Sequence, residues 1–234
     1  MPFRFAAVTS FWRKFTRWCR EEAWRGSPVQ LWEKWEEHRF DRRHGTETCS
    51  YVSLRGLTIA SANSTFGERY QPSPVASLRK VLRSLNISFG DYSFVDFGSG
   101  KGRTLIIASE WPFRQVLGVE FSAELNEMAA ANLSKAGTRR ALRVATLHCD
   151  ATSFELPRGP LLLYFFQPFS DPVLARVLDN IVASLRADPR PTLIVYLWGG
   201  ELPLLSKVPG LKLIRRWRKY KIYAFDLVKL GNAG

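Results

Sequence analysis

Asp96-Phe97-Gly98-Ser99-Gly100-Lys101-Gly102-Arg103 is the stretch that decides how this chain is read. It follows the apolar run Tyr92-Ser93-Phe94-Val95 and precedes Thr104-Leu105-Ile106-Ile107-Ala108, a succession of strand, glycine-rich turn and helix start. Glycine at alternate positions removes every Cβ that would hold a ligand off the backbone, and the turn leaves N–H groups free at the N-terminus of the next helix. A dinucleotide fold calls for Gly-x-Gly-x-x-Gly, and a P-loop for Gly-x4-Gly-Lys-Ser/Thr. The spacing here, Gly-x-Gly-x-Gly with an acid two residues upstream, matches neither.

Outward from this turn the chain alternates. Strands are expected at 92–97, 115–120, 142–148, 160–166 and 191–198, with helices at about 103–110, 122–136 and 171–186, the last opened by Asp171-Pro172. Apolar strands joined by helices imply an α/β fold with a mostly parallel sheet buried on both faces. Two closing strands are expected at 211–217 and 220–228. Ahead of the turn, Tyr70-Gln71-Pro72-Ser73-Pro74 reads as a helix entry, with Ser73 as cap and Pro74 in the first turn. Val75, Leu78, Val81, Leu82 and Leu85 then share one helix face.

In such a sheet, ligands bind beyond the carboxyl ends of the strands near the point where the strand order reverses. The first strand ends in Asp96 and the glycine turn. The second ends in Glu120, a carboxylate able to accept both hydroxyls of a ribose. The third ends in His148-Cys149-Asp150-Ala151, with an acid suited to an exocyclic amine. The fourth ends in Tyr164-Phe165-Phe166-Gln167-Pro168-Phe169, aromatic with one amide.

These four signals in this order resemble the class I S-adenosylmethionine-dependent methyltransferases, from about Tyr70 to Trp198. The resemblance implies a Rossmann-like, mostly parallel seven-stranded sheet with helices on both faces, preceded by an N-terminal helical extension. It implies S-adenosyl-L-methionine as cofactor, with Gly98, Ser99, Gly100 and Gly102 against its methionine part and Asp96 at the amino group. Glu120 is then the ribose residue, and Asp150 with Ala151 the adenine residues. Gln167, Pro168 and Phe169 face the transferred methyl, with Tyr70 as a wall of the acceptor site. More loosely, the Tyr70 segment, the Gly-Ser-Gly-Lys-Gly form and Phe-Gln-Pro-Phe resemble the seven-strand protein-lysine methyltransferases. Nitrogen-directed members of the family carry Asn-Pro-Pro-Tyr/Phe or Asn-Pro-Phe at this place; here a glutamine, one methylene longer, stands there and a single proline follows. The resemblance thus implies a protein acceptor, with RNA, a small molecule or a non-catalytic binding role as alternatives.

The 234 residues suit one α/β domain with an appendage, divided as 1–69 and 70–234. Of eight tryptophans, Trp12, Trp18, Trp24, Trp32 and Trp35 fall in the first 40 residues, mixed with arginine. Three readings fit that segment: a helical cap on the catalytic domain, an interfacial contact with an anionic membrane through residues 1–27, or a targeting peptide. Residues 41–73 read as a long irregular connection. The net charge is +13, concentrated at both ends, which favours an acidic partner and admits nucleic acid. Cys19, Cys49 and Cys149 have neither disulfide-framework nor zinc spacing, and the histidines are not grouped, so no metal and a reducing, cytoplasmic setting are expected. The sequence leaves the oligomeric state open.

Overall fold

A computed structural model describes residues 28–49, 71–137, 139–197, 202–217 and 220–231. Among these, helix α1 (Pro28–His44) and helix α2 (Val75–Ser84) precede the sheet. The alternating unit then runs β1 (Ser93–Phe97), α3 (Arg103–Ala108), β2 (Gln115–Glu120), α4 (Ala123–Lys135), β3 (Val144–His148), β4 (Leu161–Phe165), α5 (Asp171–Ala187) and β5 (Thr192–Leu197). A short α6 (Pro203–Lys207), the hairpin β6 (Leu211–Trp217) and β7 (Tyr220–Phe225), and α7 (Leu227–Gly231) complete it.

The seven strands lie in the order β3-β2-β1-β4-β5-β7-β6. β1 to β5 are parallel, and β7 enters antiparallel to both β5 and β6. This is the Rossmann-like seven-stranded arrangement. Strand order reverses between β1 and β4, which opens a crevice at their carboxyl ends.

β1 and β4 are buried along their whole length, because helices cover both faces. Val95, Phe97, Leu161, Leu163, Phe165 and Tyr196 face the apolar stripe of α5, whose Val173, Leu174, Val177, Leu178, Ile181 and Leu185 recur at helical spacing. Phe94, Leu162, Tyr164 and Val195 face the other way, onto Leu78, Val81 and Leu82 of α2 and Leu105 and Ile106 of α3. On the α5 side the Phe97 and Phe165 rings stack at 4.8 Å and the Phe165 and Tyr196 rings at 5.7 Å, which ties β1, β4 and β5 together.

Several local expectations are corrected. Helix α1 continues to His44, so the connection begins four residues later than expected, and β7 ends at Phe225, where α7 takes over what read as strand up to 228. Asp171 is the first residue of α5 and Ser170 holds its cap position. Ser73 does not cap α2: Pro74 takes the cap position, and the Ser73 hydroxyl turns inward to Tyr164 and Thr104. A buried hydroxyl needs partners, and two neighbouring hydroxyls supply them more effectively than a solvent-facing helix end.

Candidate active site

The crevice at the switch point is a cavity of about 110 Å³. Asp96, Gly98, Ser99, Gly100, Glu120, Gln167 and Pro168 line it, so seven of the sequence-derived residues converge from three strand ends. Gly102, Asp150, Ala151 and Phe169 are not in its wall, and Tyr70 lies outside the described residues. The wall adds Gln71, Ser73, Arg103, Thr104, Phe121, Leu125 and Phe166.

The glycine turn supplies the floor. Gly98 and Gly100 both have positive φ, at 79° and 51°. Gly98 N–H and Ser99 N–H both donate to Val119 O, at 2.9 and 3.2 Å, pinning the turn to the end of β2. Glu120 closes the connection from the other side: its Oε2 accepts the Gly100 N–H at 2.8 Å and its Oε1 the Ser122 N–H at 3.0 Å. The Phe121 N–H also bonds to this carboxylate, and its remaining lone-pair capacity can still receive a hydroxyl donor. Burial pushes the Glu120 carboxyl up, and these backbone N–H groups partly offset it.

Asp96 sits deeper. Only 2% exposed, it is pushed up to about 8 by desolvation, against the pull of a hydrogen bond from Thr104, with the Glu120 charge adding to the rise. A neighbouring cation would restore its charge. Ser99 also lines the cavity; its buried hydroxyl packs over Gly118 of β2 and has no hydrogen-bond partner. Orphaned buried donors are rare, and this one sits in the turn that forms the cavity floor.

At the end of β4, Gln167 has φ of +40°, the only non-glycine residue with positive φ among the described residues. Pro168, next to it, packs directly on Gly98. Asp150 ends β3 as expected, but its Oδ1 accepts the Thr152 N–H and the Thr152 hydroxyl, both at 2.8 Å, capping a single 3₁₀ turn at Ala151–Ser153. His148 is exposed, with Nε2 3.1 Å from Phe121 O.

The two cations of the glycine turn bond to the preceding segment, unlike a P-loop lysine, although Arg103 also reaches the cavity wall. Lys101 Nζ, 2% exposed, pairs with Glu47 at 2.9 Å, while the Arg103 Nε donates to the Thr48 hydroxyl at 2.7 Å. Asp41 of α1 gathers the same loop, accepting from Thr46, from Thr48 N and Oγ1, and from Cys49 N. Burial raises Asp41, but these bonds outweigh it and hold the carboxylate below its usual range. Residues 28–49 are therefore a packed cap stapled to the cofactor turn. Residues 1–27, with the cap, membrane-contact and targeting readings that fall on them, lie outside the described residues.

A family model described as a methyltransferase domain matches residues 94–188, the span from β1 to the end of α5. No curated protein matches the chain significantly. Among solved structures, it is similar to an RNA methyltransferase from Salinibacter ruber in complex with S-adenosyl-L-homocysteine (19% identity, 66% of this chain and 92% of the other, TM-score 0.45). It is also similar to a SAM-dependent methyltransferase from Aquifex aeolicus (18%, 67% and 97%, TM-score 0.47). A third is a ribosomal protein L11 methylase from Lactobacillus delbrueckii subsp. bulgaricus (14%, 67% and 80%, TM-score 0.47).

Residues 94–188 carry a methyltransferase domain, and the chain is a methyltransferase. Its methyl donor is S-adenosylmethionine. The cavity wall suits the amino-acid and ribose parts of that group, with buried acids for a cation and a diol and a glycine floor without Cβ atoms, while Asp150 and Ala151 lie beyond it. Among the described residues no group of three His, Cys, Asp or Glu could hold a metal, and no helix is long and apolar enough to cross a membrane.

Proposed function

We propose that the enzyme methylates nitrogen, and that the acceptor is a lysine side chain of a protein. The observation that carries this reading is Gln167, held at φ +40° in the cavity wall between Phe166 and Pro168. Left-handed backbone at a non-glycine residue costs about 1–3 kcal/mol and persists where function needs the side chain aimed. The glutamine amide oxygen can accept a hydrogen bond from a neutral amine and turn its lone pair inward. When bound, S-adenosylmethionine supplies an electrophilic methyl on sulfonium, open to in-line attack by such a lone pair.

Asp96 would hold the donor's ammonium, Ser99 and the turn its carboxylate end, Glu120 its ribose and Asp150 with Ala151 its adenine. Phe166 excludes water and offers its ring to a cation. A lysine ammonium has no lone pair, so it must lose its proton first, and the part-desolvated wall favours the neutral amine. No His or Cys lines the cavity among the described residues, so positioning and desolvation carry the chemistry. In this reading residues 70–234 are the catalytic unit, residues 1–69 are its cap, and the enzyme works in the cytoplasm.

Incubation with a lysate and a tritiated methyl donor tests the acceptor. Label that disappears with protease and returns methyl-lysine on mass spectrometry supports the reading. Label that disappears only with nuclease overturns it.

A further inference from the structure

Away from the donor cavity, a second groove of about 270 Å³ runs between α2 and the β6–β7 hairpin. Val81, Tyr220 and Ile222, all buried, form an apolar floor. Lys80, Arg215 and Arg216 stand at its rim beside Trp217. Lys80 Nζ lies 4.0 Å from the centre of the Trp217 ring, and Arg215 Nη1 donates to Ser84 O at 3.0 Å. Among the described residues no carboxylate pairs with Lys80 or Arg215, and no acid lines the groove. In sequence the run continues as Arg218-Lys219.

Protection of an edge strand from aggregation accounts for cations on β6, which ends the sheet. It does not account for Lys80, which sits on a helix, nor for an apolar floor between the cations. Uncompensated like charges around an apolar depression destabilise the free protein through self-repulsion, and an acidic ligand relieves that repulsion.

One wall of the groove reaches the catalytic rim. Trp217 pairs with Tyr220, and Tyr220 pairs with Leu197, the last residue of β5. This end of the hairpin therefore stands at the carboxyl ends of the parallel strands, where Gln167 follows β4. Two strand positions separate β4 from β7, roughly 10 Å at the usual strand spacing, which three or four extended residues span.

We propose, building on the protein-acceptor reading above, that this groove docks an acidic segment of the methyl-accepting protein. An apolar side chain of that segment sits on Val81 and Ile222, and its flanking carboxylates meet Lys80 and Arg215. A peptide suits the groove better than a nucleic acid. Trp217, the rim aromatic, already holds Lys80 over its ring and stacks with Tyr220 at 6.3 Å, so it offers a base a poor platform. The depression is instead built for an aliphatic or aromatic side chain between charges.

Fluorescence anisotropy on the full chain tests the proposal. The probes are a labelled peptide of a dozen Asp, Glu, Leu and Phe residues, the same peptide with Lys for each acid, and a labelled oligouridylate of equal charge. The acidic peptide is expected to bind, to weaken with salt, and to lose at least tenfold in affinity in Lys80→Glu/Arg215→Glu, while S-adenosylhomocysteine binding stays unchanged. Both residues are exposed, so this variant should fold; unaltered circular dichroism and cofactor binding would verify it. Equal peptide binding in wild type and variant, no binding at all, or tighter binding of the oligouridylate overturns the proposal. The lysate assay separates the two readings. Protease-sensitive label that is undiminished in the variant sinks the docking groove alone, whereas nuclease-sensitive label sinks the protein acceptor.

Discussion

Gly98 and Pro168 pack so closely that a Cβ on the glycine would lie 2.5 Å from the proline Cβ. Contact at that distance couples the cofactor turn after β1 to the acceptor loop after β4. The floor of the donor site and the wall facing the methyl group are thus one packed unit, not two loops that happen to meet.

Gly98→Ala tests the coupling. The alanine must either push Pro168 away or leave φ +79°, and the left-handed conformation alone costs about 1–2 kcal/mol. Urea denaturation should show a loss of that size or more, and calorimetry with S-adenosylhomocysteine at least a tenfold weaker Kd. Wild-type affinity in a folded variant would mean that the two loops move independently.

Glu120→Ala is expected to act on affinity more than on folding rate. It leaves the Gly100 and Ser122 N–H groups without their acceptor and removes the diol site, and a hydrogen bond to a charged group contributes about 1.5–3 kcal/mol. Calorimetry should show S-adenosylhomocysteine binding weakened by roughly ten- to a hundredfold or abolished. Glu120→Gln, which keeps one acceptor oxygen, should fall between.

Much of this was legible in sequence, because the signals were local. Strand ends at Phe97, Glu120, His148 and Phe165 follow from apolar runs stopped by acids and glycines, and each lies within a residue or two of the expected end. Lys101 and Arg103 were not legible. Cations are exposed by default, and the partners that bury these two, Glu47 and Thr48, lie 54 and 55 residues upstream with no periodic pattern to announce them. Ser73 misled for a related reason: a serine before a proline is a sound local cap signal, and only the tertiary approach of Tyr164 and Thr104 overrides it. The strain at Gln167 is likewise invisible to residue type, since glutamine has no left-handed preference.

Asp96 makes stability depend on pH in a defined direction. Its folded-state value is raised from the usual 3.8 to about 8, so the folded protein binds a proton that the unfolded chain has released. The stabilisation is complete below about pH 4 and is lost as pH rises towards 8, with a slope of up to ~1.4 kcal/mol per unit. Urea midpoints from pH 5 to 9 should fall more steeply in wild type than in Asp96→Asn. Parallel curves would show that Asp96 is ionised in the free protein.

The staple between the cap and the cofactor turn is open to hydrogen exchange. Arg103 is 1% exposed, bonded to Thr48 and Cys49, and 3.8 Å from Glu37. Arg103→Met removes the donor to the buried Thr48 hydroxyl and the cation beside the half-buried Glu37, a change that costs about 1–3 kcal/mol. Residues 28–49 should lose amide protection first, while β1 and β4 keep theirs. Simultaneous loss across all of these segments would place Arg103 in the general core instead.

Gln167→Gly separates strain from function. At φ +40° glycine relieves about 1–3 kcal/mol of backbone strain but gives back roughly 0.5–1 kcal/mol in unfolded-chain entropy. Stability should therefore hold level or rise by about 1 kcal/mol, unlike the usual outcome of trimming a half-buried side chain. Turnover should drop at least tenfold with S-adenosylhomocysteine affinity nearly unchanged, because the amide that orients the acceptor is gone while the donor pocket is intact. Gln167→Asn keeps the amide one methylene short and should recover part of the rate. A variant that loses stability and keeps its rate would identify Gln167 as a structural turn residue and remove the support for nitrogen as the acceptor atom.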